Sequence, residues 1–347
     1  MLARYMREQN KIRVGLIGFG YWGPNLCRNV SNHPMALLTG ICDSDANNRR
    51  RAAIQYPGLR IFEHAQELMD DSAIDAIVIA TSASTHAALA DTALTRGKHV
   101  LVTKPISTTA ASAAALAEQA KKSRRVLLVD HTFLYTPAVA KLRELLDDDV
   151  LGDALYYDAM RTGLGIFKSD ADVVQDLTVH DVAIVDYLFS ERPTSVTATS
   201  VASIPGQLPS LAYVNFHYRS GLHVHIASHW LSPIKQRKVV IAGNKRMASW
   251  DDTLAENGLH LYDSGVSPHH KSVVQGRAPL TYRHGEGQAI PLERVEALTA
   301  EVDEFIDCIR GFRMPISCGY SAARVMLLTE AASQSARAGG ACVYLNW

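Results

Sequence analysis

The chain has no apolar run long enough to cross a bilayer as a helix, and its opening residues, MLARYMREQNK, lack the apolar core of a secretory signal. Cysteine is sparse. Cys27, Cys42, Cys308, Cys318 and Cys342 are scattered, odd in number, and form no Cys-x-x-Cys pair. That argues against a disulfide framework and against a thiol redox motif, and it suits buried thiols in a reducing compartment such as the cytoplasm. An excess of charge of one sign is also missing. Lys plus Arg and Asp plus Glu each total 35, so the formal net charge is zero and no field favours nucleic acid or an anionic membrane. Internal repeats and low-complexity tracts are absent as well.

What remains is an ordinary globular composition, with 47% hydrophobic and 20% charged residues, which separates the chain from disordered sequences. At 347 residues it is too long for one ordinary core. The pattern of elements places a boundary at the acidic run Asp147-Asp148-Asp149, giving domains 1–147 and 148–347. In the first, strand-like runs at 13–17, 35–42, 74–80, 99–102 and 126–129 alternate with helical patterns at 47–55, 84–96, 108–122 and 137–146. This rhythm predicts an α/β domain with a doubly wound parallel sheet. In the second, a strand at 154–161 and a helix at 176–189 precede β-rich runs at 195–203, 212–218, 222–230, 238–242 and 246–250. Helices at 295–310 and 322–338 close the chain. The expected fold is α+β with a large, mostly antiparallel, open-faced sheet. Residues 262–288, rich in Gly, Ser and His, read as a long surface loop.

The stretch that organises the first domain is IRVGLIGFGYWGPN, residues 12–25. A buried strand runs into Gly18-Phe19-Gly20-Tyr21-Trp22-Gly23, and Leu26, Cys27 and Val30 then recur at helical spacing. In a Gly-x-Gly-x-x-Gly turn the first glycine makes the tight turn and the second admits a pyrophosphate. The third lets the helix pack on the strand, and the helix N-terminus presents free N–H groups to the phosphates. Alone the motif is weak. The second strand strengthens it, because it ends in Asp43 at the spacing of the acid that binds the adenosine ribose. Asp43, followed by the neutral Ser44, favours NAD, with NADP as the alternative because Arg49, Arg50 and Arg51 stand in the next helix.

Ligands of such sheets sit beyond the carboxyl ends of the strands, which nominates Thr81, Ser82, His86, Lys104, Asp130 and His131 alongside the glycine turn. In the second domain Asp176 and His180 share a helical face at i and i+4. Taken alone they read as a surface ion pair, and Lys104 as a solvated lysine beside a turn proline. Together with a nicotinamide they would provide a base, an orienting carboxylate and a cation for oxidation of an alcohol. His223, His225 and His229 fall on one strand face, but no Cys or acid completes a set. A polar sheet face is therefore preferred to zinc, and no metal is expected.

At this point the residues resemble the glucose–fructose oxidoreductase/inositol dehydrogenase (Gfo/Idh/MocA) family. Its pattern is Gly-x-Gly-x-x-Gly, then Glu-Lys-Pro, then Asp-x-x-x-His. This chain has Gly18, Gly20 and Gly23, then Thr103-Lys104-Pro105, then Asp176 and His180. GYWGPNL, HTFLYTPAV, DLTVHD and WLSP resemble the branch that oxidises nucleotide-linked aminosugars. The resemblance implies Lys104 as catalytic lysine, His180 as acid/base and Asp176 as orienting or relay carboxylate. It also implies that Thr81, Ser82 and His86 border the cofactor. Thr103 stands where the family has Glu on the cofactor side. An open sheet face used for homo-oligomer contacts, as dimer or tetramer, is implied too.

The substrate expected from this branch is a UDP- or dTDP-linked hexose or aminosugar reacting at C3. Arg161 and Lys168 are candidates for a diphosphate, and Phe167 or Tyr135 for stacking on a base or sugar face. The alternatives are a free-sugar or cyclitol dehydrogenase, and a cofactor-binding regulator without turnover, which Thr103 alone favours.

Overall fold

The computed structural model describes residues 11–169, 171–254, 256, 258–268 and 280–347. They divide into two compact units. One runs up to Tyr135 and includes Val295–Leu327; the other comprises Thr136–Arg294 and Leu328–Trp347.

The first unit contains six strands, β1 (Ile12–Ile17), β2 (Ala36–Cys42), β3 (Arg60–Phe62), β4 (Ala76–Ile79), β5 (His99–Thr103) and β6 (Leu127–Asp130). They form one parallel sheet in the order β3-β2-β1-β4-β5-β6. The order reverses between β1 and β4, the switch point at which a doubly wound sheet opens a crevice for a ligand. Helices α1 (Gly23–Asn32), α2 (Ala46–Gln55), α3 (Ala65–Asp70), α4 (Ala83–Thr95) and α5 (Ala110–Ser123) connect the strands. All of β4 and β5 is buried, as their unbroken apolar runs require when helices cover both faces. Local chemistry sets the helix starts. Pro24 opens α1 where no N–H is needed, the Asp45 side chain accepts the Asn47 N–H at α2, and Thr109 accepts the Ser112 N–H at α5. The sequence reading omits β3 and α3. Each is too short to show a period, and a three-residue strand with one buried side chain leaves no apolar run.

The second unit holds a nine-stranded sheet in the order β16-β13-β12-β11-β7-β10-β9-β8-β17. Its strands are β7 (Ala154–Leu164), β8 (Ser195–Val201), β9 (Leu211–His217), β10 (His223–His229), β11 (Leu231–Gly243), β12 (Met247–Asp251), β13 (Leu259–Tyr262), β16 (Gly287–Ala289) and β17 (Val343–Tyr344). Every pairing is antiparallel except β7 with β10. One face is apolar and buried, with Tyr157, Ala159, Val214, Phe216, Val224 and Ile226. The other carries Tyr156, Asp158, Met160, Tyr213, His217, His223 and His225, partly exposed. His225 Nδ1 lies 2.6 Å from the Asp158 carboxylate, and its ring stacks on Tyr213. Among the described residues no group of three or more His, Cys, Asp or Glu could hold a metal. No described helix is long and apolar enough to cross a membrane.

The expectation of a surface loop over 262–288 needs correction. β14 (Gly265–Pro268) pairs with β15 (Leu280–Arg283), and β16 follows; residues 269–279 lie outside the described residues. The described side chains of β15 and β16 are largely exposed, so these strands lack the apolar alternation by which strands are recognised. Helices α6 (Pro137–Asp147), α7 (Val179–Leu188), α8 (Ala297–Gly311) and α9 (Gly319–Arg337) complete the chain; α8 belongs to the first unit and α6 and α7 to the second.

Candidate active site

In the first unit the three glycines have three different environments. Gly18 adopts φ +100°, and a Cβ there would sit 2.6 Å from the Ala80 carbonyl. A Cβ on Gly23 would sit 2.1 Å from the Gly18 carbonyl oxygen, so only glycine lets α1 begin this close to the turn. A Cβ on Gly20 would meet nothing within 4 Å. That open approach at the start of a helix is what a pyrophosphate needs, and the loop therefore fits a dinucleotide.

Asp43 directly follows β2, beside the glycine turn. It is 8% exposed; its Oδ2 accepts the Phe19 backbone N–H at 2.6 Å and the Asn48 amide at 3.2 Å, while Oδ1 accepts the Asp45 N–H. The Phe19 ring is fully buried beside Tyr56, so Phe19 serves the loop through its backbone. Tyr21 is exposed, and Trp22 is half-buried with its indole on Asp130. The arginines of α2 are engaged locally. Arg49 donates to the Asp43 and Ser44 carbonyls and pairs with Glu63, and Arg51 donates to Asn48. A 2′-phosphate would meet the Asp43 carboxylate before any unengaged cation among them. NADH is accordingly expected to bind at least about tenfold tighter than NADPH, and Asp43→Ala to narrow that gap, since tenfold is ~1.4 kcal/mol and one charge contact exceeds it. Fluorescence titration with both cofactors measures this; an NADPH preference in the unmodified protein would contradict it.

His86, expected at the cofactor border, is a buried strut. Its Nδ1 lies 2.7 Å from the Pro105 carbonyl, and its Nε2 lies 3.0 Å from the Thr81 carbonyl and 3.3 Å from the Thr103 hydroxyl. It thereby ties the segment after β4 to the segment after β5. Burial lowers its pKa, and the two carbonyl contacts oppose that shift. Thr81 Oγ1 is 2.7 Å from Thr85 Oγ1, and Ser82 is the N-cap residue of α4. Lys104 directly follows β5 and is half-buried. His131, after β6, is buried, and desolvation followed by the Lys104 ammonium pushes its pKa down to about 4.

In the second unit Asp176 lies in a π-helical turn, Val174–Thr178, that leads into α7, where His180 is the second residue. The sequence pattern predicts one regular helix there. Wider turns of this kind recur at functional sites and re-aim side chains. The Asp176 carboxylate is held from two sides: Oδ1 accepts from Lys168 Nζ at 2.6 Å, and Oδ2 from the Trp230 indole at 3.2 Å. Phe167 packs on the same buried Trp230, with ring centroids 5.6 Å apart. Gly165 permits this approach, since a Cβ there would lie 2.7 Å from the indole. Asp176, Lys168 and Phe167 are thus gathered around Trp230, which the sequence reading had only as part of WLSP.

Two expected substrate residues are placed differently. The Arg161 guanidinium is buried and forked onto Asp181, at 2.8 and 3.2 Å, where it serves the interior of the unit. Arg161 is a candidate for a diphosphate in sequence, but the alternation along β7 turns position 161 to the buried face. Tyr135 is buried in the first unit, with its hydroxyl on Glu304 at 2.8 Å and Ser317 at 2.7 Å. Those partners lie far along the chain, and local sequence gives no sign of them.

Comparison with known proteins adds the following. Residues 12–131 match the oxidoreductase family with an NAD-binding Rossmann fold, and residues 139–249 match the GFO/IDH/MocA C-terminal domain. The UDP-N-acetylglucosamine 3-dehydrogenase of Acidithiobacillus ferrooxidans is 28% identical over 319 residues, 91% of this chain and 94% of that protein. Its solved structure superposes with a TM-score of 0.80, at 25% identity, over 94% of this chain and 98% of its own. The inositol 2-dehydrogenase of Rhodococcus jostii is 26% identical over 230 residues, 64% of this chain and 62% of that protein. A levoglucosan dehydrogenase solved with NADH and L-sorbose shares the fold, with a TM-score of 0.81 at 18% identity over 97% of this chain and 99% of its own.

Proposed function

The chain belongs to the Gfo/Idh/MocA family of NAD-dependent oxidoreductases, and we propose that it interconverts a hydroxyl and a ketone at C3 of a UDP- or dTDP-linked hexose, with an N-acetylated aminosugar as the preferred class. The observation that carries this reading is the likeness to a UDP-N-acetylglucosamine 3-dehydrogenase over nearly all of both chains. The likeness to inositol dehydrogenases covers about two thirds of each chain, and a cyclitol or free sugar is the second reading.

The proposed division of labour follows from the side chains. His180 takes the hydroxyl proton on oxidation and returns it on reduction. The Lys104 ammonium stabilises the developing alkoxide. A nicotinamide held at the glycine turn would supply the redox chemistry, as acceptor of the carbon-bound hydride. Asp176, fixed by Lys168 and Trp230, orients groups without itself turning over. Lys168 and Phe167 are the proposed contacts to remote parts of the substrate. Arg161 is omitted from that set because its guanidinium is spent on Asp181.

Reduction of NAD by UDP-N-acetylglucosamine, a dTDP-hexose, free N-acetylglucosamine and myo-inositol tests the proposal. The nucleotide-linked sugar is expected to exceed the free sugar in kcat/KM by about 10²-fold or more, since the diphosphate and base supply binding energy used to position the hydroxyl. Equal values for the two would promote the free-sugar reading. We also propose self-association through the open face of the nine-stranded sheet. Exposed Tyr156, Met160 and Tyr213 motivate it, and a monomer mass by light scattering would remove it.

A further inference from the structure

Helix α8 carries a glutamate for which the proposed reaction has no use. Glu301 is 0% exposed, and among the described residues no hydrogen-bond donor reaches either of its carboxyl oxygens. The group it meets is another carboxyl, that of Asp130 at the end of β6, itself 4% exposed. Two ionised carboxylates this close and away from water would repel each other, and a charged Glu301 would have no donor to offset its desolvation. A single proton between them removes the conflict. Protonated Glu301 becomes a donor, and Asp130 remains the acceptor.

The other contacts of Asp130 fit that assignment, because all of them are donors. Its Oδ2 accepts the Trp22 indole N–H at 2.6 Å. Its Oδ1 accepts the Thr132 N–H at 3.2 Å and the Thr132 hydroxyl. Trp22 lies between Gly20 and Gly23 and is the N-cap residue of α1, where its side chain makes no capping bond. Its polar atom is spent on Asp130 instead. The loop that would face a pyrophosphate is therefore tied by one indole to a carboxyl pair on β6 and α8.

We propose that Asp130 and Glu301 are positioning residues: a carboxyl pair sharing one proton, which anchors Trp22 and so holds the Gly20–Gly23 turn in the form that receives the dinucleotide. The inference rests on the glycine turn as the cofactor site and is independent of the sugar.

Other titratable groups face the pair. On α8, Glu304 accepts the Tyr135 hydroxyl and pairs with Arg313 at 3.1 Å. Tyr135, in the turn after β6, is kept protonated to well above the usual tyrosine range, by burial first. His131, next to Asp130, is kept neutral by burial. Burial, with Asp130 second, holds the Glu301 proton well above the usual carboxyl range. The sign follows. The native pair keeps a proton that the unfolded chain has released, so the arrangement weakens as pH rises toward the loss of that proton.

The test reads Trp22 and NADH binding separately. With indole-¹⁵N tryptophan, Trp22→Phe assigns the Trp22 signal among the four tryptophans. In the unmodified protein that signal is expected to shift as pH is raised, with the NADH dissociation constant rising in step. Glu301→Gln keeps a donor and the volume but cannot titrate. It should bind NADH within about threefold of the unmodified protein at neutral pH and lose both alkaline changes, because an amide donor replaces the acid proton. Trp22→Phe and Glu301→Ala should each weaken NADH binding by about tenfold, and the double variant should be no weaker than either, as residues acting through one anchor are not additive. Should Glu301→Ala not fold, Glu301→Gln and Trp22→Phe carry the comparison. A Trp22 signal indifferent to pH, with NADH affinity unchanged in Glu301→Gln at every pH, would overturn the proposal. A Trp22 signal that follows the pair in a protein that binds no NADH would instead remove the cofactor role of the turn and leave the pair standing.

Discussion

Lys104→Ala and His180→Ala are each expected to lower kcat by about 10²–10⁴, the usual cost of removing a positioned general acid–base group or a charge that stabilises an oxyanion. Neither side chain supplies the apolar packing of its element. Lys104 follows β5 as a half-buried side chain, and the core around it is made by Leu101, Val102 and Val129. His180 lies at the start of α7, whose packing is supplied by Val182, Ile184, Val185 and Leu188. Both variants should therefore fold, with melting temperatures close to that of the unmodified protein. If the two groups act on one proton transfer, the double variant will fall by less than the product of the single effects. Asp176→Asn should be milder, since Trp230 can still donate to the remaining carbonyl oxygen. Steady-state kinetics with the best sugar of the panel measures all four. Near-normal turnover in either alanine variant removes that residue from the chemistry.

The second large effect separates binding from folding at the glycine turn. Gly23→Ala would place a methyl carbon 2.1 Å from a backbone oxygen that no side-chain motion can relieve. It is expected to cost about 1–3 kcal/mol or more of stability, as overpacking does, and to disturb the start of α1 enough to abolish measurable NADH binding. Gly20→Ala meets no protein atom within 4 Å and does not lie at positive φ. It should leave stability within about 0.5 kcal/mol, as a surface substitution does, yet weaken NADH by about tenfold or more, because ~1.4 kcal/mol of lost phosphate contact suffices. Thermal unfolding and NADH titration of the two variants test this. A Gly20→Ala protein with full NADH affinity would mean that the pyrophosphate does not approach there.

The features legible in the sequence are those written locally. The run from Val14 to Gly23 sets strand, turn and helix within a few residues of one another, and β4 and β5 announce themselves as unbroken apolar runs. Asp43 could be placed because the spacing of the motif is fixed by the geometry of one βαβ unit. Asp176 and His180 were found by their spacing, whereas the π turn that carries Asp176 was not, since a single wider turn leaves no trace in apolar periodicity. The residues that escaped are defined by distant partners. Trp230 holds Asp176 from 54 positions away. Asp181 claims the Arg161 guanidinium from another element, and Glu304 claims the Tyr135 hydroxyl. Glu301 reads in sequence as one more acid on an amphipathic helix; only the fold brings it beside Asp130. Charge and aromaticity nominated Arg161 and Tyr135 for a ligand, but burial decides whether such groups are offered outward.

The central claim, hydride transfer from C3 of a nucleotide-linked sugar to NAD, is tested most directly with UDP-N-acetylglucosamine carrying deuterium at C3. The expected result is reduced cofactor that carries the deuterium, together with a nucleotide sugar bearing a ketone at that carbon, both read by mass spectrometry. Reduced cofactor containing only protium would place the oxidation at another carbon. No reduction with any nucleotide sugar, alongside turnover of a free sugar or cyclitol, would contradict the account.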